Sequence, residues 1–224
     1  MATSGLPPIS LLPHADEETI KFVLDTLFEP SPEIHALAVP AIQRRRRILA
    51  NPGLTADLPV PHPSSSPSSS SLSPSTIPDD TPFTSYASLI EHIATLLHQL
   101  AISSSSSSSP FPPPEREKLH GILGSHPRLG AKKVDSTQSR AEQAQLNTGT
   151  GDEAQRLAAL NREYEDRFPG LRYVVFVNGR SRDVVMEDMR RRINRGDIRA
   201  EEREGIQAMV DIALDRAGKL GSAS

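Results

Sequence analysis

Leu171-Arg172-Tyr173-Val174-Val175-Phe176-Val177 is the stretch on which the fold class turns. Three valines and two aromatic residues in seven positions have the composition of a β-strand. No second stretch of comparable quality occurs, and a strand without a partner forms no sheet. The segment is therefore expected to run extended and buried inside an all-α domain.

Working outward, the surrounding sequence carries helical periodicity. Over residues 15–28, Asp16 can cap a helix and Glu17 and Glu18 suit its first turn. Ile20, Val23, Leu24, Leu27 and Phe28 then share one face. Ser31 reads as the next N-cap and Pro32 as the first residue of a second helix. That helix carries Ile34, Leu37, Ala38 and Ile42, then Arg44 to Arg47, and Pro40 is expected to kink it. Further helices are predicted over 85–101, 115–123, 136–146, 152–168, 181–194 and 200–220. Ser181 caps the fifth of these, and Ile206, Met209, Val210 and Ala213 face inward in the last.

Two tracts break the pattern, residues 51–82 and 103–114, both dominated by Ser and Pro. Such composition buries too little apolar surface to offset the entropy of ordering. Both are expected to be disordered loop insertions, which a helical domain tolerates at small cost. What remains suits a single compact multi-helix domain over residues 1–224.

A formal net charge of −3 implies neither a nucleic-acid nor a membrane partner. The absence of cysteine excludes disulfides, thiolate nucleophiles and Cys-ligated metals. No apolar run is long enough to span a bilayer. The N-terminus lacks a signal-peptide pattern and the C-terminal Gly-Ser-Ala-Ser is not a Ser-Lys-Leu address. A cytoplasmic or peroxisomal protein is expected.

His126-Pro127 is the most informative dipeptide. A residue before Pro is kept out of helical geometry, which fixes an imidazole on a loop just beyond a helix end. Imidazole titrates near neutral pH and suits general acid/base work; the plainer reading is a solvated loop histidine. Ser139-Arg140-Ala141-Glu142-Gln143 follows, with Ser139 and Glu142 on one helix face. By itself Ser-x-x-Glu also describes a capping box, and a capped helix start can hold an anionic group. Arg190, Arg191 and Arg192 read mainly as a solvated helix face. Arg216 in the last helix is either a surface residue or a fork for a carboxylate.

In order along the chain, these pieces resemble the 2-oxo-4-hydroxy-4-carboxy-5-ureidoimidazoline (OHCU) decarboxylases. The resemblance rests on Leu27-Phe28-Glu29 before a Pro-containing helix start, His126-Pro127, Ser139-x-x-Glu142-Gln143, Leu160-Asn161-x-x-Tyr164 with Phe168, Arg191 or Arg192 with Asn194, and Arg216. It covers most of the chain outside the Ser/Pro tracts. It implies an all-α homodimer with no metal or organic cofactor, acting on a small-molecule substrate in urate degradation. It further implies His126 and Glu142 as catalytic residues, with Pro127, Ser139, Val174, Val175 and Arg216 binding substrate and Glu142 orienting His126. Arg191 and Arg192 compete with Arg216 for the role of carboxylate clamp. The chain departs from the family in its Ser/Pro insertions. It has Arg128 where an acidic residue is common, adding positive charge near the site, and Glu33-Ile34-His35 where aromatic residues are common. Two other classes compete. One is a helical interaction protein that keeps the fold without activity. The other is a metallohydrolase built on His120, His126 and Glu142, for which no ligand set at metal spacing exists.

Overall fold

The computed structural model describes residues 5–50, 83–104, 113–131, 137–144 and 151–221. A 3-10 turn at Ile9–His14 leads into α1 (Glu17–Phe28) and α2 (Pro32–Ala50). There follow α3 (Tyr86–Ser103), α4 (Pro114–Leu123), α5 (Thr137–Ala144), α6 (Gly151–Arg167), α7 (Arg182–Arg195) and α8 (Ile198–Gly221). The fold is all-α, with no strand among the described residues.

The expected caps are in place. Asp16 accepts a hydrogen bond from the Thr19 amide at 2.7 Å, and Ser181 accepts one from the Val184 amide at 3.4 Å. α2 continues through Pro40 to Ala50. α8 begins two positions before the predicted residue 200, because Asp197 accepts from the amides of Arg199 (2.9 Å) and Ala200 (3.0 Å). The 3-10 turn was not anticipated; it buries Leu12 completely.

Helix α8 is the axis of the core. It packs against α3, α1 and α4, and its Ile206, Met209 and Ala213 are fully buried. Apolar burial on this scale, about 25 cal/mol per Å², is what holds the short surrounding helices in place. α1 contributes Ile20, Val23, Leu24, Leu27 and Phe28, all fully buried, and α3 contributes Leu89, Ile90, Ile93 and Leu97.

The first Ser/Pro tract and most of the second lie outside the described residues. The second tract is also narrower than 103–114. Ser103 ends α3 and Pro114 opens α4. Ser104 is buried, and Arg199 donates to its Oγ at 3.0 Å and to its carbonyl at 3.2 Å. A serine that looks like the start of a polar linker is thus bonded to α8.

Residues 171–177 run between α6 and α7 without regular hydrogen bonding, as expected of a strand with no partner. Arginines replace the missing neighbour. Arg192 donates to the Val174 carbonyl at 3.2 Å, and Arg180 donates to the carbonyls of Phe176 and Val177. The Tyr173 hydroxyl donates to Asp188 at 2.6 Å, and its ring lies under the Arg192 guanidinium, 4.7 Å from the centroid. Tyr164 packs edge-on against Tyr173, centroids 5.5 Å apart, and donates to Glu201 at 2.6 Å. Burial pushes both phenols well above their ordinary pKa, so they stay neutral donors.

Candidate active site

A cavity of about 290 Å³ opens between the loop after α4, helix α5, the extended segment and the end of α8. Its volume is at the small end for a small-molecule site. His126, Pro127, Ser139, Glu142, Val174 and Val175 line it. The structure therefore brings together six of the seven residues picked out by the sequence. The seventh, Arg216, lies behind the wall, bonded to two of the six.

His126 sits two residues beyond Gly124, the C-cap of α4. It is 5% exposed, so it is not a solvated loop histidine. Arg172 donates to its carbonyl at 3.0 Å, and Pro127 restricts its backbone. Its Nε2 is buried and makes no hydrogen bond within the protein. Burial above all, and the Arg216 charge next, push the imidazole down to about pKa 3, against a smaller opposing pull from Glu142. His126 is therefore neutral at pH 7, not poised near it.

Helix α5 presents Ser139, Glu142 and Gln143, three of its eight residues. Ser139 does not cap the helix, which starts at Thr137. Its Oγ donates instead to Glu29 Oε1 at 2.5 Å. Glu29 ends α1 at φ 75°, a left-handed conformation that non-glycine residues rarely adopt. Ion pairing holds it there: Arg216 Nη2 donates to Glu29 at 2.6 Å and to Ser139 Oγ at 3.0 Å.

The remaining donors of Arg216 are also taken. Nε and Nη2 reach the two oxygens of Glu142 at 2.7 and 2.9 Å. Nη1 reaches the carbonyls of Thr26 and Leu27 at 3.2 and 3.4 Å. At 2% exposure Arg216 is not a surface residue, and its fork is closed on protein carboxylates. Burial lowers its pKa, but Glu142 and Glu29 more than offset this and raise it. Glu142 bonds to Arg216, and no hydrogen bond joins it to His126 among the described residues. Its influence on the imidazole is through charge, not through the orienting contact expected.

The loop between α4 and α5 is pinned from both sides. Gln143 accepts from the Gly130 amide at 3.0 Å and donates to the Arg128 carbonyl at 3.2 Å. Asn161 of α6 donates to the Leu129 carbonyl at 3.0 Å. Gly130 has φ 77°, and a Cβ there would lie 2.8 Å from Leu157, so only glycine fits without displacement. Arg128 turns outward to an ion pair with Glu165 and does not line the cavity. The positive charge expected near the site from this residue is thus neutralised elsewhere.

Opposite α5, residues 173–179 form the other wall. The amides of Val174 to Val177 have no hydrogen bond among the described residues. Successive amides of an extended chain point to opposite sides, so alternate ones are donors available to a carbonyl or carboxylate oxygen in the cavity. Asp215 and Lys219 close the mouth, paired at 2.5 Å. Of the alternative clamps, Arg192 is buried against Glu201, and Arg191 is exposed and paired with Asp188. Neither lines the cavity. Arg190 and Arg191 do form a solvated face, but Arg192 belongs to the core.

Sequence reasoning did not assign Glu29, Gln143, Asp215 or Lys219 to the site. Gln143 and Glu29 stand inside motifs that were noticed. Asp215 and Lys219 are neighbours of Arg216 on α8, and nothing in their local pattern separates them from an ordinary i,i+4 pair. Among the described residues, no three His, Asp or Glu side chains are grouped to hold a metal ion, and no helix is long and apolar enough to cross a membrane.

A family model described as OHCU decarboxylase matches residues 65–218. That range begins after α1 and α2, yet Glu29 at the end of α1 reaches the same network. No curated protein matches the chain.

Proposed function

The chain belongs to the OHCU decarboxylase family, and on that premise we propose that it converts OHCU to (S)-allantoin and CO2 in urate degradation. The observation that carries this reading is the wall-to-wall arrangement of the 290 Å³ cavity. A neutral, buried His126 and the Ser139–Glu142 face stand on one side, and the extended segment, with its unpartnered amides, on the other.

The substrate carries its carboxylate on a ring carbon that also bears a hydroxyl and adjoins a ring C=N. When the bond to the carboxylate breaks, its electron pair forms a C=C and the C=N pair moves onto nitrogen. The substrate is its own electron sink, so no cofactor is required. The nitrogen takes a proton from solvent, the hydroxyl gives up its proton as it becomes a carbonyl, and the neighbouring carbon takes one proton. The face on which that proton arrives sets the handedness.

In this reading His126 moves the proton between the hydroxyl and the carbon. A neutral imidazole can accept first and donate afterwards. Alternate amides within residues 174–177 hold the ring oxygen and the ureido group, as fixed donors that need no reorganisation. Ser139 and Pro127 complete the pocket. Glu142 faces the reacting centre, with its orientation set by Arg216. Arg216 acts as a positioning residue, because its donors are already engaged. Its two carboxylate partners leave the cluster negative, which disfavours a second anion deep in the pocket and drives the substrate carboxylate toward the mouth, where Lys219 stands. We further propose that the active form is a homodimer of one-domain chains.

The test supplies freshly generated OHCU to the purified full chain and follows CO2 release and the optical sign of allantoin. The substrate decays unaided to racemic product, so handedness separates catalysis from decay. Enzymatic (S)-allantoin that persists after exhaustive chelation is the expected result. Racemic product at the uncatalysed rate would favour the inactive interaction protein, and activity abolished by chelation would overturn the cofactor-free mechanism.

A further inference from the structure

A second cavity, also of about 290 Å³, lies on the far side of the loop that pins the first. Arg128, Leu129, Ala158, Asn161, Arg162 and Arg182 are among its walls. Leu129 lines both cavities.

The unusual feature is Arg182. Its side chain is only 10% exposed, yet Nε and Nη1 are buried without a hydrogen-bond partner. The nearest carboxylate oxygen in an ion pair, on Glu153, is 3.8 Å away, too far for a hydrogen bond. Leaving a charged donor buried and unmet costs on the order of 1–3 kcal/mol or more. The other two arginines differ from it. Arg128 is neutralised by Glu165. Arg162 stands exposed at the rim, with no ion pair among the described residues.

We propose that this cavity binds a small organic oxyanion, with its head on the Arg182 guanidinium and its body on the apolar wall of Leu129, Ala154, Leu157 and Ala158. A guanidinium with two buried nitrogens short of a hydrogen-bond partner suits the oxygens of a phosphate or carboxylate head. The wall facing the head is the loop itself: Asn161 holds its Leu129 carbonyl, and Gln143 holds its Gly130 amide. An occupant therefore presses on the segment that carries His126 at the first cavity and that Gln143 pins. The site is separate from the decarboxylation pocket and stands whether or not that reaction is confirmed.

The test titrates the full chain with inorganic phosphate and, separately, with acetate, at constant ionic strength and without substrate. Calorimetry should show saturable binding of at least one, and the one that binds identifies the head group. Arg182→Gln should weaken binding by about tenfold or more, and Arg182→Lys should recover part of it. Arg190→Gln, the same charge change on the exposed side of α7, should leave it unchanged. Amide resonances of Gly130 and Ala131 in the unsubstituted protein should shift on addition, a readout that does not depend on any variant folding. Absence of saturable binding by either anion, unmoved Gly130 and Ala131 amides, or equal binding by Arg182→Gln would each overturn the proposal.

Discussion

Arg192 and Arg216 are 3% and 2% exposed, and each is buried among carboxylates. Arg192 finds Glu201 nine residues away, across the turn from α7 to α8, and that carboxylate is fully buried. Arg216 gathers Glu142 and Glu29 from 74 and 187 residues away, and Glu142 stays 29% exposed at the cavity wall. The chemistry of the two clusters is the same, and what their carboxylates face differs. Arg192 also pairs with Glu204 and Asp188, 36% and 20% exposed, but neither lines the site cavity, so this cluster is closed to it. A cluster with one carboxylate open to the cavity holds backbone and also presents charge to whatever enters. Neither burial of an arginine nor exposure of its partner distinguishes structure from function; a partner on a cavity wall does.

The largest effect is expected on the closed side. Arg192→Met leaves Glu201 buried with only Arg195 and the Tyr164 hydroxyl against it and releases the Val174 carbonyl, so stability should fall by about 3–5 kcal/mol, read from the urea midpoint. An unshifted midpoint would break the comparison at its first term.

On the open side, His126→Asn should lower kcat by about 10²-fold or more, the scale for a positioned acid or base, while circular dichroism stays native. The same variant tests the burial of the imidazole. Its folded pKa of about 3 lies below the unfolded value near 6.5. The unfolded chain therefore binds the proton first. His126's contribution is complete above about pH 6.5 and is lost as pH falls toward 3, by up to about 1.4 kcal/mol per unit. His126→Asn should flatten that part of the stability–pH curve.

Glu142→Gln keeps the shape of the Arg216 contact but removes the charge that faces the cavity. A loss in kcat of about tenfold, smaller than for His126, is expected, with a melting temperature close to the parent. A large drop in melting temperature would put Glu142 with the closed cluster instead. The smallest effect should come from replacing residues 54–77 and 105–112 by short Gly/Ser linkers, with turnover kept within about a few-fold. Carrying the second replacement back through Ser104 removes one of the partners of Arg199, which keeps Glu202, and should cost stability that the shorter cut does not.

The amphipathic faces of α1, α3 and α8 were legible because periodicity is a local property of sequence. So was the decision to treat 171–177 as a strand without a sheet. The roles within the site were less legible. Ser139-x-x-Glu142 has the spacing of a capping box, and only the position of Thr137 shows that the helix has already begun. Arg216, a lone charge on an apolar helix, is a surface residue until Glu29 arrives from the other end of the chain. Charge pairing over such distances leaves no periodic trace. His126 was found by its proline, but its neutrality comes from burial and from Arg216, neither of which the dipeptide encodes.

The extended segment has one more consequence. Residues 171–177 combine high β-propensity with a single charge and no proline, the composition of a chain that stacks on copies of itself. In the folded protein its carbonyl edge is covered by Arg192 and Arg180, so a second molecule finds no template there. Those arginines are carried by α7 and the turn before it, and any opening of α7 uncovers the edge while the rest of the bundle remains. Heat or acid that loosens this one helix should therefore lead to fibrous precipitate before global unfolding. The arginines that shape the pocket's far wall are also the protein's guard against self-assembly.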